Sequence, residues 1–389
     1  MSGSVRIAMI GYAFMGAAHS QAWRNVHRFF DLGVTPEMAV VVGRDGEAAA
    51  AAATRLGWQE SATDWREVVA RDDIDVVDIC TPGDTHHPIA LAALAAGKHV
   101  LCEKPLANDV AEAEEMAAAA EQARAAGVRS MVGFSYRRVP AVALMRQMVA
   151  EGAVGEIRHV RGRYLQDWIV DPQFPLVWRL RKEVAGSGAL GDIGAHVLDM
   201  AQFVTGQRIT GVAAQTETFV RRRPLPEGGG ALGAATAGGS AETGEVTVDD
   251  AAVLLARTDG GALGTFEATR FATGRKNHIE LEVNGSKGSL VFSFEDMNAL
   301  RYHDASAGDR AGFARIDVTE PTHPYVGAWW PPGHGLGYEH TFVNQARDFL
   351  DAIASGTDPE PSFADGAAVQ RLLAAVEDSA AREAAWTTV

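Results

Sequence analysis

Val5-Arg6-Ile7-Ala8-Met9-Ile10-Gly11-Tyr12-Ala13-Phe14-Met15-Gly16 is the stretch that decides the fold. A short apolar run passes directly into a turn with glycines at its first and last positions, and a helix-forming segment follows. This is the placement that a dinucleotide fingerprint requires. Gly11 permits the tight turn, position 13 must be small so that the backbone can approach a pyrophosphate, and Gly16 lets helix and strand pack closely. Ala13 stands where the motif has its second glycine. Phe14 and Met15 complete the turn and are read with it as cofactor contacts. A glycine-rich turn with no cofactor is the competing reading of this motif taken alone.

Four further apolar runs follow at 38–42, 76–80, 99–102 and 130–134, separated by Ala-rich segments such as 47–56 and 110–126 that are long enough for helices. Short continuous apolar runs alternating with helices imply a buried parallel sheet covered on both faces, the doubly wound α/β class. After residue 134 the pattern changes. Strand-like runs at 157–165, 211–220, 251–257, 264–272, 278–283 and 289–294 are joined by turn residues such as Thr258-Asp259-Gly260-Gly261 and Asn284-Gly285. They predict a mainly antiparallel sheet, hence an α+β domain, with helices at 141–151, 189–205, 341–355 and 365–384. The expected division is a Rossmann domain over 1–135 and a second domain over 136–389. The segment 224–244, rich in Gly, Ala, Pro and Thr, reads as a mobile surface loop inserted between strands.

A length of 389 residues corresponds to two or three domains at ~150 residues each. Lys and Arg total 35 against 50 Asp and Glu, a formal charge of -15 that repels a polyanion, so nucleic acid is not an expected partner. Cys80 and Cys102 sit in apolar runs and cannot build a disulfide framework or a Cys-rich zinc site. The start of the chain shows no signal-peptide pattern, and no apolar stretch approaches the ~18 residues that span a bilayer. A cytoplasmic protein with no membrane partner is expected.

The second strand ends in Val42-Gly43-Arg44-Asp45. An acidic residue there binds a ribose 2′-hydroxyl and an arginine accommodates a 2′-phosphate. Gly43 occupies the usual carboxylate position and Arg44 is free to pair with a phosphate, which leans toward NADP. In the other reading Arg44 faces solvent and Asp45 turns back to bind NAD.

Lys104 follows the fifth strand, at the carboxyl ends of the strands where open α/β sheets bind ligands; taken alone, a lysine after a strand is more often simply solvated. In the segment 188–200, Asp192, His196 and Asp199 are spaced four and seven apart and form one polar stripe on a helix, opposite Leu190, Ile193, Val197 and Met200. A histidine so placed can act as a general base oriented by the aspartate; a buried structural Asp-His pair is the alternative. No third ligand accompanies the pair, so no metal is expected. Tyr136, Tyr164, Gln166, Trp168, Trp178, Arg179, Tyr325 and Tyr338 are the rings and hydrogen-bonding groups that a sugar requires, and core or subunit-interface packing explains several of them equally well.

Together, Gly11 to Gly16, Thr81-Pro82 with His86, 96–100 running into Glu103-Lys104-Pro105-Leu106-Ala107, and 188–192 with His196 and Asp199 resemble the glucose-fructose oxidoreductase/inositol dehydrogenase (Gfo/Idh/MocA) family over essentially the whole chain. Tyr164 to Trp168, 186–192, His323-Pro324-Tyr325 and 335–338 look like its sugar dehydrogenases of the levoglucosan dehydrogenase type, which oxidise a secondary hydroxyl, often at C3. The resemblance implies an N-terminal Rossmann domain and a C-terminal domain with a large open sheet used for homodimer or homotetramer contacts. It makes Lys104, Asp192 and His196 catalytic, and it makes Tyr136, Gln166 and Tyr338 sugar contacts, beside Trp168. Cofactor contacts are implied from Gly11, Ala13, Phe14, Met15, Gly16, Arg44, Asp45, Thr81, Pro82, Gly83, His86, Glu103, Lys104, Trp178 and Arg179. Gly83 departs from the family, many of whose members have asparagine there.

The expected activity is NAD(P)-dependent hydride transfer from a secondary hydroxyl of a sugar, anhydrosugar or cyclitol. Two other classes share these motifs: a glycoside hydrolase that uses NAD for transient C3 oxidation, and a dinucleotide-binding protein without turnover.

Overall fold

The computed structural model describes residues 3–226 and 242–389. It divides into two compact units, one of Met1–Ser135 with Gly337–Gln370 and one of Tyr136–Leu336 with Arg371–Val389. The segment 337–370, read from the sequence with the second domain, clusters with the first. Its helix Tyr338–Ser355 buries Phe342, Val343, Ala346, Phe349 and Leu350, and it packs on the helix Phe14–Phe29 that follows the glycine-rich turn.

In the first unit, β1 (Gly3–Ile10), β2 (Val34–Val42), β3 (Glu60–Ala62), β4 (Val76–Ile79), β5 (His99–Cys102) and β6 (Ser130–Val132) form a sheet in the order β3-β2-β1-β4-β5-β6. Every pair is parallel. All four residues of β4 are buried, as a strand covered on both faces must be. Strand order reverses at β1, so the turn after it opens at the switch point where such sheets bind ligands.

The second unit holds a nine-stranded sheet built from β7 (Ile157–Leu165), β8 (Ile209–Glu217), β11 (Ala251–Thr258), β12 (Leu263–Thr269), β13 (His278–Gly285), β14 (Gly288–Ser293), β15 (Ala299–Asp304), β16 (Ala314–Asp317) and β17 (Thr387–Thr388). β7 and β12 run parallel, and the remaining neighbours are antiparallel. Helices Pro140–Ala150 and Ala195–Thr205 lie on one face. Gly162 on β7 makes that approach possible, because a Cβ there would lie 2.6 Å from Val197 Cγ2. β11 alternates strictly: Ala252, Leu254 and Ala256 are buried while Val253, Leu255 and Arg257 are exposed on the opposite face.

β9 (Arg222–Pro224) and β10 (Thr243–Glu245) pair antiparallel at the flanks of the expected loop, whose residues 227–241 lie outside the described part. Among the described residues no helix is long and apolar enough to cross a membrane.

Candidate active site

The dinucleotide cradle is built by the first unit. Gly11 has φ +98°, and a Cβ on it would lie 2.8 Å from the Cys80 carbonyl oxygen. A Cβ on Gly16 would lie 2.2 Å from the Gly11 carbonyl oxygen. Both positions therefore exclude a side chain, one for backbone conformation and one for close packing. Ala13 occupies the N-cap of the helix with no side-chain cap, which leaves the first-turn N–H groups available to an anion. These residues fit a nicotinamide dinucleotide. Phe14 is exposed and stacks on Tyr338, with ring centroids 6.3 Å apart and planes 6° from parallel. Tyr338, expected among the sugar contacts, is thus gathered with the fingerprint in the first unit.

At the end of β2, a Cβ on Gly43 would lie 1.9 Å from the ring of Tyr12. The Tyr12 ring fills the space that an acidic side chain at 43 would use. Arg44 is exposed, whereas Asp45 spends one carboxylate oxygen accepting from Ala48 N at 2.9 Å as the cap of the next helix. Met15 is half-buried in the first turn of its helix. Thr81 lies against Gly11, and a Cβ on Gly83 would lie 2.4 Å from Asn108 Oδ1, so the amide of Asn108 occupies the space beside that glycine. His86 is buried with Nδ1 2.9 Å from the Pro105 carbonyl oxygen and Nε2 2.9 Å from that of Thr81. It braces the loop carrying Thr81 and Pro82 against the turn carrying Lys104. The Lys104–Pro105 peptide is cis, and the Lys104 N–H donates to Glu103 at 3.3 Å.

The second unit assembles the chemical cluster. The segment expected as one regular helix from 189 begins instead with a π-helical turn, Leu190–Gly194, that runs into the α-helix Ala195–Thr205. Such turns are frequent at functional sites because they re-aim side chains. Asp249 holds the start of the segment: its carboxylate accepts from Gly188 N at 2.7 Å and Leu190 N at 2.8 Å, and its carbonyl accepts from Ala189 N at 3.0 Å. A side chain at Gly188 would collide with the Asp249 backbone.

The Asp192 carboxylate is faced by two guanidinium groups, Arg270 at 3.6 Å and Arg179 at 4.0 Å. Arg270 is fully buried, donates to the Asp249 carbonyl at 3.0 Å, and lies 5.4 Å from the Trp168 ring. Arg179 stacks over Trp178 at 4.2 Å; burial pulls its pKa below the usual arginine range, and Asp192 opposes that pull. The pair Trp178 and Arg179, expected at the cofactor, is therefore gathered at Asp192.

His196 is 9% exposed, and its ring meets Tyr136 edge-on at 4.8 Å. The Tyr136 hydroxyl lies 2.6 Å from that of Tyr164, which donates to Asn277 at 2.7 Å. Gln166 donates to the same Asn277 oxygen at 2.7 Å and accepts from Trp168 Nε1 at 2.9 Å. A continuous hydrogen-bonded network thus joins Tyr136, Tyr164, Asn277, Gln166 and Trp168, and the edge-on contact with Tyr136 sets the general-base candidate beside it. Asp199, placed by its spacing on the same stripe, is instead buried in a bidentate pair with Arg137, where it holds the helix. Arg270, Asn277 and Asp249 were not singled out in the sequence; each sits at a strand end or turn where no periodic signal marks it.

A dinucleotide cradle, a lysine at the carboxyl edge of the sheet and an Asp-His cluster are the parts of a nicotinamide-dependent oxidoreductase. Residues 5–134 match a family model described as "Oxidoreductase family, NAD-binding Rossmann fold", and residues 142–291 match the "GFO/IDH/MocA C-terminal domain". The chain belongs to the GFO/IDH/MocA oxidoreductase family. It is 44% identical to a levoglucosan dehydrogenase of Pseudarthrobacter phenanthrenivorans over 99% of this chain and 98% of that protein. A solved oxidoreductase domain protein from Kribbella flavida is 63% identical, with a TM-score of 0.95 and full coverage of both chains. The solved complex of levoglucosan dehydrogenase with NADH and levoglucosan is 43% identical, with a TM-score of 0.92 and 99% of each chain covered.

Proposed function

We propose that this protein oxidises a secondary hydroxyl of an anhydrosugar or a closely related monosaccharide or cyclitol. The observation that carries the reading is the cluster of Asp192, His196, Tyr136, Gln166 and Trp168 in one unit, a general base set among groups that suit a polyhydroxylated ring. The full-length likeness to a levoglucosan dehydrogenase supports an anhydrosugar. A bound nicotinamide dinucleotide supplies the hydride acceptor. His196 takes the hydroxyl proton at a ring nitrogen, and Asp192, its own charge fixed by Arg270 and Arg179, stabilises the imidazolium that results. Lys104 stabilises the developing alkoxide. Tyr136, Gln166 and Trp168 hold the sugar. Incubation with NAD or NADP and a panel of levoglucosan, monosaccharides and inositols should give reduced nicotinamide by its near-ultraviolet absorbance. Release of free sugar from a glycoside without net cofactor reduction would instead identify a hydrolase.

Cofactor choice follows from the end of β2. With Tyr12 over Gly43 and no carboxylate there, Arg44 is free to meet a 2′-phosphate, so the protein should bind NADP as well as NAD. Arg44→Ala should weaken NADP(H) binding and leave NAD(H) unchanged in a fluorescence titration. Unchanged NADP affinity removes Arg44 from that role, and binding of NAD alone by the wild type refutes the NADP reading.

A homodimer or homotetramer formed through the uncovered sheet face is also proposed. Val253 and Leu255 are each 56% exposed there and Leu263 on the neighbouring strand is 45% exposed, a row of apolar side chains that a second copy would cover. Sedimentation should give an oligomer that Leu255→Lys dissociates; a monomeric wild type would contradict this.

A further inference from the structure

His19, three residues beyond Gly16 on the helix of the dinucleotide cradle, is 2% exposed and has both ring nitrogens on carboxylates. Nδ1 lies 3.0 Å from both oxygens of Asp78 on β4, and Nε2 lies 3.1 Å from Glu103. Asp78 is fully buried and also accepts from Trp23 Nε1 at 2.7 Å. Ionised carboxylates only accept, so a ring that satisfies both must donate from both nitrogens, which is the imidazolium form. The other carboxylate oxygen of Glu103 accepts from the Lys104 N–H at 3.3 Å. The site is shaped for this carboxylate: a Cβ on Gly133 would lie 2.5 Å from Glu103 Oε1.

The donors of His19, Asp78 and Cys80 lie within 4.8 Å of one another, a spacing that also suits a cation. The donors are already committed, however. Asp78 binds Trp23 and His19, the second nitrogen of His19 binds Glu103, and burial followed by the Asp78 charge pushes the Cys80 thiol far above its usual range, away from the thiolate a metal needs. The cluster is a closed charge network.

We propose that His19 is a positioning residue, an imidazolium clamped between Asp78 and Glu103 that ties the Glu103-Lys104-Pro105 turn to the helix of the dinucleotide cradle. Its effect on turnover rests on the role given above to Lys104; its effect on dinucleotide binding does not. The groups that face the ring are Asp78 and Cys80 from β4 and the residue just after it, Glu103 after β5, and the uncharged Phe342. Burial disfavours the charge, yet the Asp78 carboxylate outweighs it and lifts the ring well above the usual histidine range. The clamp is therefore complete below the ordinary value of about 6.5 and is lost only as pH rises through the raised one.

Histidine-selective nitrogen NMR of the full chain without cofactor, assigned by comparison with His19→Gln, reads the protonation directly. Both ring nitrogens should remain protonated at mildly alkaline pH, and a neutral ring at neutral pH overturns the proposal even where the variant fails to fold. Titration with NADH gives the second readout. Wild-type affinity should fall as pH rises through the transition of that ring, while His19→Gln binds weakly and without the transition. In turnover, the same variant should lose on the order of 100-fold in kcat through displacement of Lys104. Equal pH profiles in the two proteins would show a merely structural residue. An intact imidazolium and normal pH-dependent binding in a protein whose Lys104 proves dispensable would refute the assignment of Lys104 and leave the clamp standing.

Discussion

His196→Asn should lose roughly 100- to 10,000-fold in kcat for sugar oxidation, the range that a general base commonly contributes. The wild-type rate should rise with pH as the imidazole loses its proton, and the variant should lack that limb. Asn keeps a polar group of similar reach beside Tyr136, whose ring lies 4.8 Å from that of His196, so the fold should survive. Asp192→Asn should also reduce kcat, but it removes the carboxylate that faces a fully buried Arg270 and should therefore cost stability as well. The histidine variant separates chemistry from structure more cleanly. Measured on the same preparations, a wild-type melting temperature with a large loss of kcat supports a base. A lowered melting temperature with normal turnover of the folded fraction would make the Asp-His cluster structural.

Lys104→Ala should lose on the order of 100-fold or more in kcat while still binding dinucleotide. The side chain is half-buried after β5, and its backbone is anchored independently through Glu103, so truncation leaves the turn in place. A group that stabilises developing negative charge acts in the transition state more than in the ground state, hence a fall in kcat larger than any change in cofactor affinity. Near-normal kcat in this variant excludes the role. Loss of dinucleotide binding in proportion to activity would make Lys104 a cofactor ligand instead.

Local chemistry in this chain was legible wherever a residue type and its neighbours in sequence carry the constraint. The glycines at 11 and 16, the lysine before a proline at 104, and the apolar strands of the parallel sheet all announce themselves within a few residues. What escaped depends on partners far along the chain. Asp249 fixes the turn carrying Asp192 from about sixty residues away, and Arg270 sets the charge beside it, yet neither lies in a periodic pattern. The spacing of Asp192, His196 and Asp199 assumed 3.6 residues per turn; the π-helical turn changes the angle of the first, and Arg137 claims the last. The sequence marks a helix at 341–355, but amphipathicity does not say which surface it covers, and it covers the helix of the dinucleotide cradle. β15, β16 and β17 are short and largely polar or exposed, which left little alternation to read.

Hydride removal from a sugar carbon is the central claim, and isotope transfer tests it most directly. Levoglucosan carrying deuterium at the carbon of each secondary hydroxyl in turn, incubated with oxidised dinucleotide and the full chain, should deliver one deuterium, transferred as deuteride, to the nicotinamide ring from a single labelled position. The same label should slow turnover when chemistry limits the rate. Reduced nicotinamide free of deuterium with every labelled sugar, or no reduced nicotinamide with any member of the sugar and cyclitol panel, would contradict the account.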